Sequence, residues 1–180
     1  MRLFFALEPP PAARAALASL GGVLAGPFGG QAVAPDNLHL TLVFVGEVAP
    51  ARVDALRAVG DAARGAAAPF TVTLDRVGRF SRAQVGWAAP DTPPPALQAL
   101  HEALRDGCAA AGFAMEDRPY APHVTLVRKA RLEAQAQALP ACAPIVLRVR
   151  AFALMSSTPA PAGRGVVYRA VARYALAGAR

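Results

Sequence analysis

"NLHLTLVFVGEV", Asn37 to Val48, reads as a β-strand closed by Gly46. It carries a histidine and a threonine, His39 and Thr41, where a strand buried on both faces would carry apolar residues. The phrase returns in "PYAPHVTLVRKA", Pro119 to Ala130, as His123 and Thr125. Side chains on a strand alternate faces with a period of two. His39 and Thr41 therefore share a face, about 7 Å apart along the strand. Leu40, Leu42 and Phe44 take the other face, toward a core, and Val43 and Val45 extend the histidine face. In the second copy His123, Thr125 and Val127 share a face opposite Val124 and Leu126. A strand that is apolar on both sides but polar at one end has the pattern of a pocket floor.

Outward from these strands, "RLFFALEPP" reads as an opening strand stopped by its prolines. Pro10 and Pro11 suit the start of a helix over 11–26, and 26–30, with Pro27 inside, reads as a loop. Val53, Leu56, Val59 and Ala63 fall three or four apart, so 49–67 reads as an amphipathic helix. Residues 70–80 and 84–90 read as two paired strands, 93–113 as a proline-started helix, and 131–139 as a short helix. Two long strands, 143–157 and 165–176, are separated by "TPAPAGR". About seven strands and four helices thus interleave, with strand–helix–strand blocks in both halves. That predicts a duplicated α+β unit. No linker is long enough to separate independent domains, so 1–180 is expected to be a single domain.

The chain has 180 residues, of which 54% are hydrophobic, enough for a sizeable core and too many for a disordered segment. Its net charge is +7, and Lys129 is its sole lysine. A chain this basic attracts polyanions, which makes nucleic acid or phosphorylated substrates natural partners. Cys108 and Cys142 have no CxxC spacing, so two free thiols in a reducing cytoplasm are expected. The apolar start stops at Glu8, too short for a signal peptide, and no run approaches the roughly 18 apolar residues of a membrane span. A cytoplasmic protein with no membrane partner is expected. The absence of a heptad seam favours a monomer.

Histidine exchanges protons near neutral pH. Two histidines in one pocket can hold opposite protonation states, one accepting a proton while the other donates. A threonine beside each can donate a hydroxyl hydrogen bond to an anionic oxygen. Two such pairs closing from two sides make a phosphate clamp with an acid and a base built in. A lone His-x-Thr is most often only a hydrogen-bonded histidine near a strand end. Two copies, each followed by leucine and set 84 positions apart at His39 and His123, are harder to dismiss. Zinc sites usually gather three or four closely spaced His, Cys or acidic ligands. Neither motif contains an acidic residue, so neither metal nor cofactor is expected. There is no Walker loop, dinucleotide fingerprint or GxSxG elbow. His101, on a helix, reads as a surface or boundary residue.

The tetrads "HLTL" and "HVTL" are those for which the 2H phosphoesterase superfamily is named. "VAPDNLHLTLVFVGEV" and "DRPYAPHVTLVRKA" resemble the two motif regions of the bacterial RNA 2',3'-cyclic phosphodiesterases, also called 2'-5' RNA ligases. "VGRFSRAQVGWAAP" is similar to that family's middle hairpin, and 149–176 to its closing strand pair. The resemblance implies a bilobal, pseudo-two-fold fold: two antiparallel sheets with outer helices around a central cleft, each lobe giving one His-x-Thr strand. It also implies metal-independent opening of RNA 2',3'-cyclic phosphate ends to 2'-phosphomonoesters, with 2'-5' ligation as the reverse reaction. By the family's assignment His39 is the proton donor and His123 the acceptor, although near-symmetric motifs do not orient the pair by themselves. Thr41, Thr125 and Arg128 would bind phosphate, and Phe44 and Tyr120 could stack a base. Period two, however, points Arg128 away from Thr125. Two other readings remain open at this level. The same site could serve a small cyclic nucleotide or an ADP-ribose cyclic phosphate, or the protein could bind RNA ends without catalysis.

Overall fold

The computed structural model describes residues 1–130, 142–160 and 165–178; the helix expected over 131–139 lies outside them. In chain order the elements are β1 (Arg2–Leu7), α1 (Pro11–Phe28), β2 (Gln31–Ala32), a 3-10 turn (Pro35–Asn37), β3 (Leu40–Glu47) and a second 3-10 turn (Pro50–Arg52). Then come α2 (Val53–Ala63), β4 (Phe70–Leu74), β5 (Arg76–Phe80), β6 (Val85–Ala89) and α3 (Pro95–Ala110). β7 (Val124–Arg128), β8 (Ile145–Val149), β9 (Ala151–Pro159) and β10 (Val166–Ala175) complete the described chain.

Strand-forming runs that read as single strands divide here. Residues 70–80 break at Asp75, whose Oδ1 accepts from the Asp91 amide at 2.7 Å. Residues 143–157 break at Arg150. The leading pieces, β4 and β8, pair with each other as a small second sheet. The trailing pieces diverge: β5 joins the β6 hairpin and β9 the β10 hairpin. Each run therefore serves two sheets, a division that a local propensity pattern does not mark.

The large antiparallel sheet has the order β10-β9-β1-β3-β7-β6-β5, with β2 also paired to β7. Its two halves meet at a single residue pair, Leu40 with Val124. One half is β10-β9-β1-β3, and α2 and α3 pack against it. The other is β7-β6-β5 with β2, and α1 packs on β7 and β2. The expected two antiparallel sheets, outer helices and bilobal plan are present. The lobes interleave along the chain: the first takes strands from both ends, and α1 crosses to the second.

The helices bury the faces that their spacing predicts. Leu97, Leu100, Leu104 and Cys108 of α3 are all fully buried, and Leu56, Val59 and Ala63 of α2 join the same core. α1 runs past Pro27 to Phe28, whereas the sequence suggested a loop from residue 26. The buried Phe28 ring lies over Gly86 and anchors that last turn, and Gly29 at φ 58° ends it. Gly60 of α2 faces the Tyr174 ring, where an added Cβ would fall 2.3 Å from a ring carbon. Alanine should gain about 1 kcal/mol of helix propensity, but overpacking costs about 1–3 kcal/mol. The steric cost outweighs the gain, so Gly60→Ala is expected to lower the melting temperature in a thermal unfolding scan.

Candidate active site

The joint between the lobes places the two motifs against each other. Leu40 and Val124 both show 0% exposure and point into the core. By strand alternation, His39 and Thr41 take the face opposite the buried Leu40, and His123 and Thr125 the face opposite the buried Val124, on either side of this pair. His39 feels the charge of His123, and both histidines feel that of Arg128.

Each histidine stands just before its strand rather than inside it. His39 Nδ1 lies 2.7 Å from the carbonyl oxygen of Asn37, and His123 Nδ1 lies 2.8 Å from that of Ala121. A carbonyl can only accept, so Nδ1 carries the proton of the neutral ring. The same two-residue backbone bond thus fixes the same tautomer twice. It leaves Nε2 as the atom free to exchange protons.

The strands depart from period two at equivalent places. Between β1 and β3 the register steps from Phe5–Val43 to Ala6–Thr41, making Leu42 an extra residue. Between β6 and β7 it steps from Gly86–Val127 to Trp87–Thr125, making Leu126 extra. Each is a β-bulge directly after the motif threonine. The residue three beyond each threonine is thereby turned onto the threonine's face. This corrects two expectations. Phe44 is 43% exposed and faces the cleft rather than the core, while Val43 is 5% exposed and packs inside. Arg128 shares the face of Thr125, and Val127 is fully buried.

The surroundings of the two imidazoles differ. Phe4 and Tyr168 crowd His39, with ring centroids 4.9 and 4.8 Å away. Burial lowers the His39 pKa to about 4; the Asn37 carbonyl opposes this and the charges of Arg128 and His123 add to it. His123 meets Phe80 edge-on at 5.0 Å, and Phe80 leans on Trp87. Burial lowers the His123 pKa as well, opposed by the Ala121 carbonyl and assisted by Arg118 and Arg128.

Two supporting groups escaped the sequence reading. The Asn37 side chain donates to the Val166 carbonyl at 2.7 Å and accepts from the Tyr168 amide at 3.3 Å. It ties the turn that holds His39 to β10, which carries the ring packed on that histidine. His101 is more than a boundary residue. Its Nδ1 donates to the Leu42 carbonyl at 2.7 Å, and its ring lies flat on Tyr120 at 3.8 Å. The Tyr120 hydroxyl donates to the Thr41 carbonyl at 3.2 Å. The stacked pair thus satisfies two carbonyls of β3 where it has separated from β7, one of them on the bulge residue. One Tyr120 face is already covered, and burial pushes its hydroxyl pKa up. No local signal announces these bonds, because the partners lie 59 and 79 residues away.

A cavity of about 620 Å³ opens from this joint; Thr41, Phe44, His123, Thr125 and Arg128 are among its lining, whereas His39, against which Phe4 and Tyr168 pack, is not. Among the described residues neither motif threonine donates a side-chain hydrogen bond, so both hydroxyls are available to a ligand. Arg128 reaches across the lobes to the Tyr168 hydroxyl at 3.4 Å, a long contact that a phosphate oxygen could replace. The described residues contain no group of three or more His, Cys, Asp or Glu side chains that could hold a metal ion. They also contain no helix long and apolar enough to cross a membrane.

The family model described as the 2'-5' RNA ligase superfamily matches residues 9–160. The RNA 2',3'-cyclic phosphodiesterase of Escherichia coli is 40% identical over 129 residues, 72% of each chain. The RNA 2',3'-cyclic phosphodiesterase of Thermus thermophilus is 32% identical, covering 99% of this chain and 91% of its own. The crystal structure of E. coli LigT complexed with 3'-AMP matches with a TM-score of 0.86 at 36% identity, over 98% of each chain.

Proposed function

Because the chain belongs to the 2'-5' RNA ligase superfamily, we propose that it hydrolyses 2',3'-cyclic phosphate ends of RNA to 2'-phosphomonoesters. The observation that carries this reading is the joint at Leu40 and Val124, which brings the two His-x-Thr strands together, while among the described residues neither histidine Nε2 has a hydrogen-bond partner. The interleaved lobes, held by one continuous sheet, make a single domain the natural description of the chain.

In-line displacement at phosphorus needs a base on the attacking side and an acid on the leaving side. His123 Nε2 takes the proton from water, and His39 Nε2–H delivers one to the departing 3'-oxygen. These roles follow the family resemblance; burial lowers the pKa of both rings, and the oxygen each Nε2 meets on the bound phosphate decides which one holds the proton. Thr41 and Thr125 donate to the non-bridging oxygens, and Arg128 offsets their charge. Phe44 is the open aromatic surface for a base, whereas Tyr120 serves chiefly to brace β3. With an RNA 5'-hydroxyl in place of the attacking water, the same displacement of the 3'-oxygen forms a 2'-5' linkage.

The test is hydrolysis of an oligoribonucleotide ending in a 2',3'-cyclic phosphate, with a chelator present and the product isomer identified. Chelator-resistant turnover to a 2'-phosphate supports the reading. Chelator-sensitive turnover, or none, contradicts it.

A pH dependence follows from the depressed pKa values. Productive enzyme carries one proton on the histidine pair. In the free protein that form is lost by deprotonation as pH rises through the higher of two pKa values, both below the ordinary 6.5. The optimum of kcat/KM is therefore expected below pH 6.5. Bound phosphate favours imidazolium, so the kcat optimum should lie at higher pH than that of kcat/KM. Steady-state pH profiles of both quantities check the order.

A further inference from the structure

Beside the reaction centre the cavity has a second, strongly basic arm. Arg82, Arg105 and Arg118 line it, besides Arg128 at the centre, and Glu116 is its acidic lining residue. Arg82 sits at the exposed tip of the β5–β6 turn, which the Gln84 amide closes by donating to the Ser81 carbonyl at 3.2 Å. Among the described residues its guanidinium makes no ion pair or hydrogen bond. Arg105 lies one helical turn beyond His101 on α3, so both face the cavity. Its ion pair is with its own sequence neighbour Asp106 at 2.9 Å, both side chains about half exposed or more. Arg118 pairs with Glu116 at 2.6 Å in a similarly exposed setting. Exposed pairs of this kind hold a cation weakly, leaving it able to turn to a phosphate.

The cavity also has a direction. His39 is walled in by Phe4 and Tyr168, and the open lining runs from His123 toward the β5–β6 turn and the 115–121 segment. A 2',3'-cyclic phosphate ends an RNA chain, so all the remaining chain extends from the 5' side of the terminal nucleoside. We propose that this basic arm is the docking track for the phosphodiester on that 5' side, contacted by Arg82 and Arg105, and that it makes oligoribonucleotides better substrates than mononucleotides. This rests on the hydrolysis proposed above and specifies its substrate. A groove of positive charge beside aromatic faces is how single strands are held without base readout.

The experiment compares a trinucleotide ending in a 2',3'-cyclic phosphate with a 2',3'-cyclic mononucleotide, using the full chain. Wild type is expected to favour the trinucleotide in kcat/KM by tenfold or more. Arg82→Ala and Arg105→Ala should each lower kcat/KM for the trinucleotide at least fivefold more than for the mononucleotide, mainly through KM. Arg82→Lys should restore most of the loss. For the trinucleotide, the slope of log kcat/KM against log salt should become shallower by about 0.7 for each arginine removed. Melting temperatures of the variants establish that they fold, as expected for exposed positions. Equal efficiency on the two substrates overturns the inference while leaving the hydrolysis standing. So do equal losses on both, or an unchanged salt slope. Hydrolysis of neither substrate removes the reading on which the inference rests, and the inference with it.

Discussion

His123→Ala and His39→Ala are each expected to lower kcat/KM on a cyclic-phosphate-ended oligoribonucleotide by about 10²–10⁴-fold. Each variant loses a proton-transfer group and one neutral hydrogen bond to a backbone carbonyl. That bond contributes only about 1 kcal/mol to stability. His39→Ala also empties the space between Phe4 and Tyr168, so melting curves run beside the kinetics separate the rate effect from any loss of stability. The double variant should be little slower than the worse single variant, because a base without its acid has lost most of its use. Independent, multiplying losses would instead mean that the two rings serve separate steps.

Thr41→Val and Thr125→Val are expected to cost roughly 10²-fold each, the usual penalty for losing one preorganised donor to a reacting anion. Valine keeps the shape and the strand preference of threonine, so the hydroxyl alone is removed. Neither hydroxyl is committed within the described protein, which is why the loss should appear in rate and hardly in stability. Thr41 and Thr125 each directly follow one member of the Leu40–Val124 pair, and both line the same cavity. Both substitutions should therefore act on the same phosphate and give similar losses. Steady-state kinetics on the two variants measure this, and a near-wild-type rate for either would remove that threonine from the clamp.

The repeated tetrad was the legible feature of the site. A polar pair written twice into apolar strands has few bland explanations, and its resemblance to a known family supplied the bilobal plan. What stayed hidden depends on single extra residues and on distant partners. Leu42 and Leu126 look like ordinary core leucines, yet each is the bulge that carries the residue two positions later into the cleft. Phe44 and Arg128 were therefore assigned to the wrong faces by strict alternation. His101 looked like a helix-surface histidine because the carbonyl it caps belongs to a strand 59 residues earlier. Asn37 gave no sign of its tie to β10, more than 120 residues away. The interleaving of the lobes was hidden for the same reason. The breaks at Asp75 and Arg150 are decided by which sheet each half joins, not by local propensity.

The central claim is that two imidazoles act on one phosphorus. Its most direct test is nitrogen NMR of His39 and His123 during titration with a 2'-phosphorylated nucleotide, the product of the proposed reaction. The account predicts that both Nε2 resonances move together, with one dissociation constant and one nucleotide bound per chain. A response from only one ring, or two separate binding events, would contradict it.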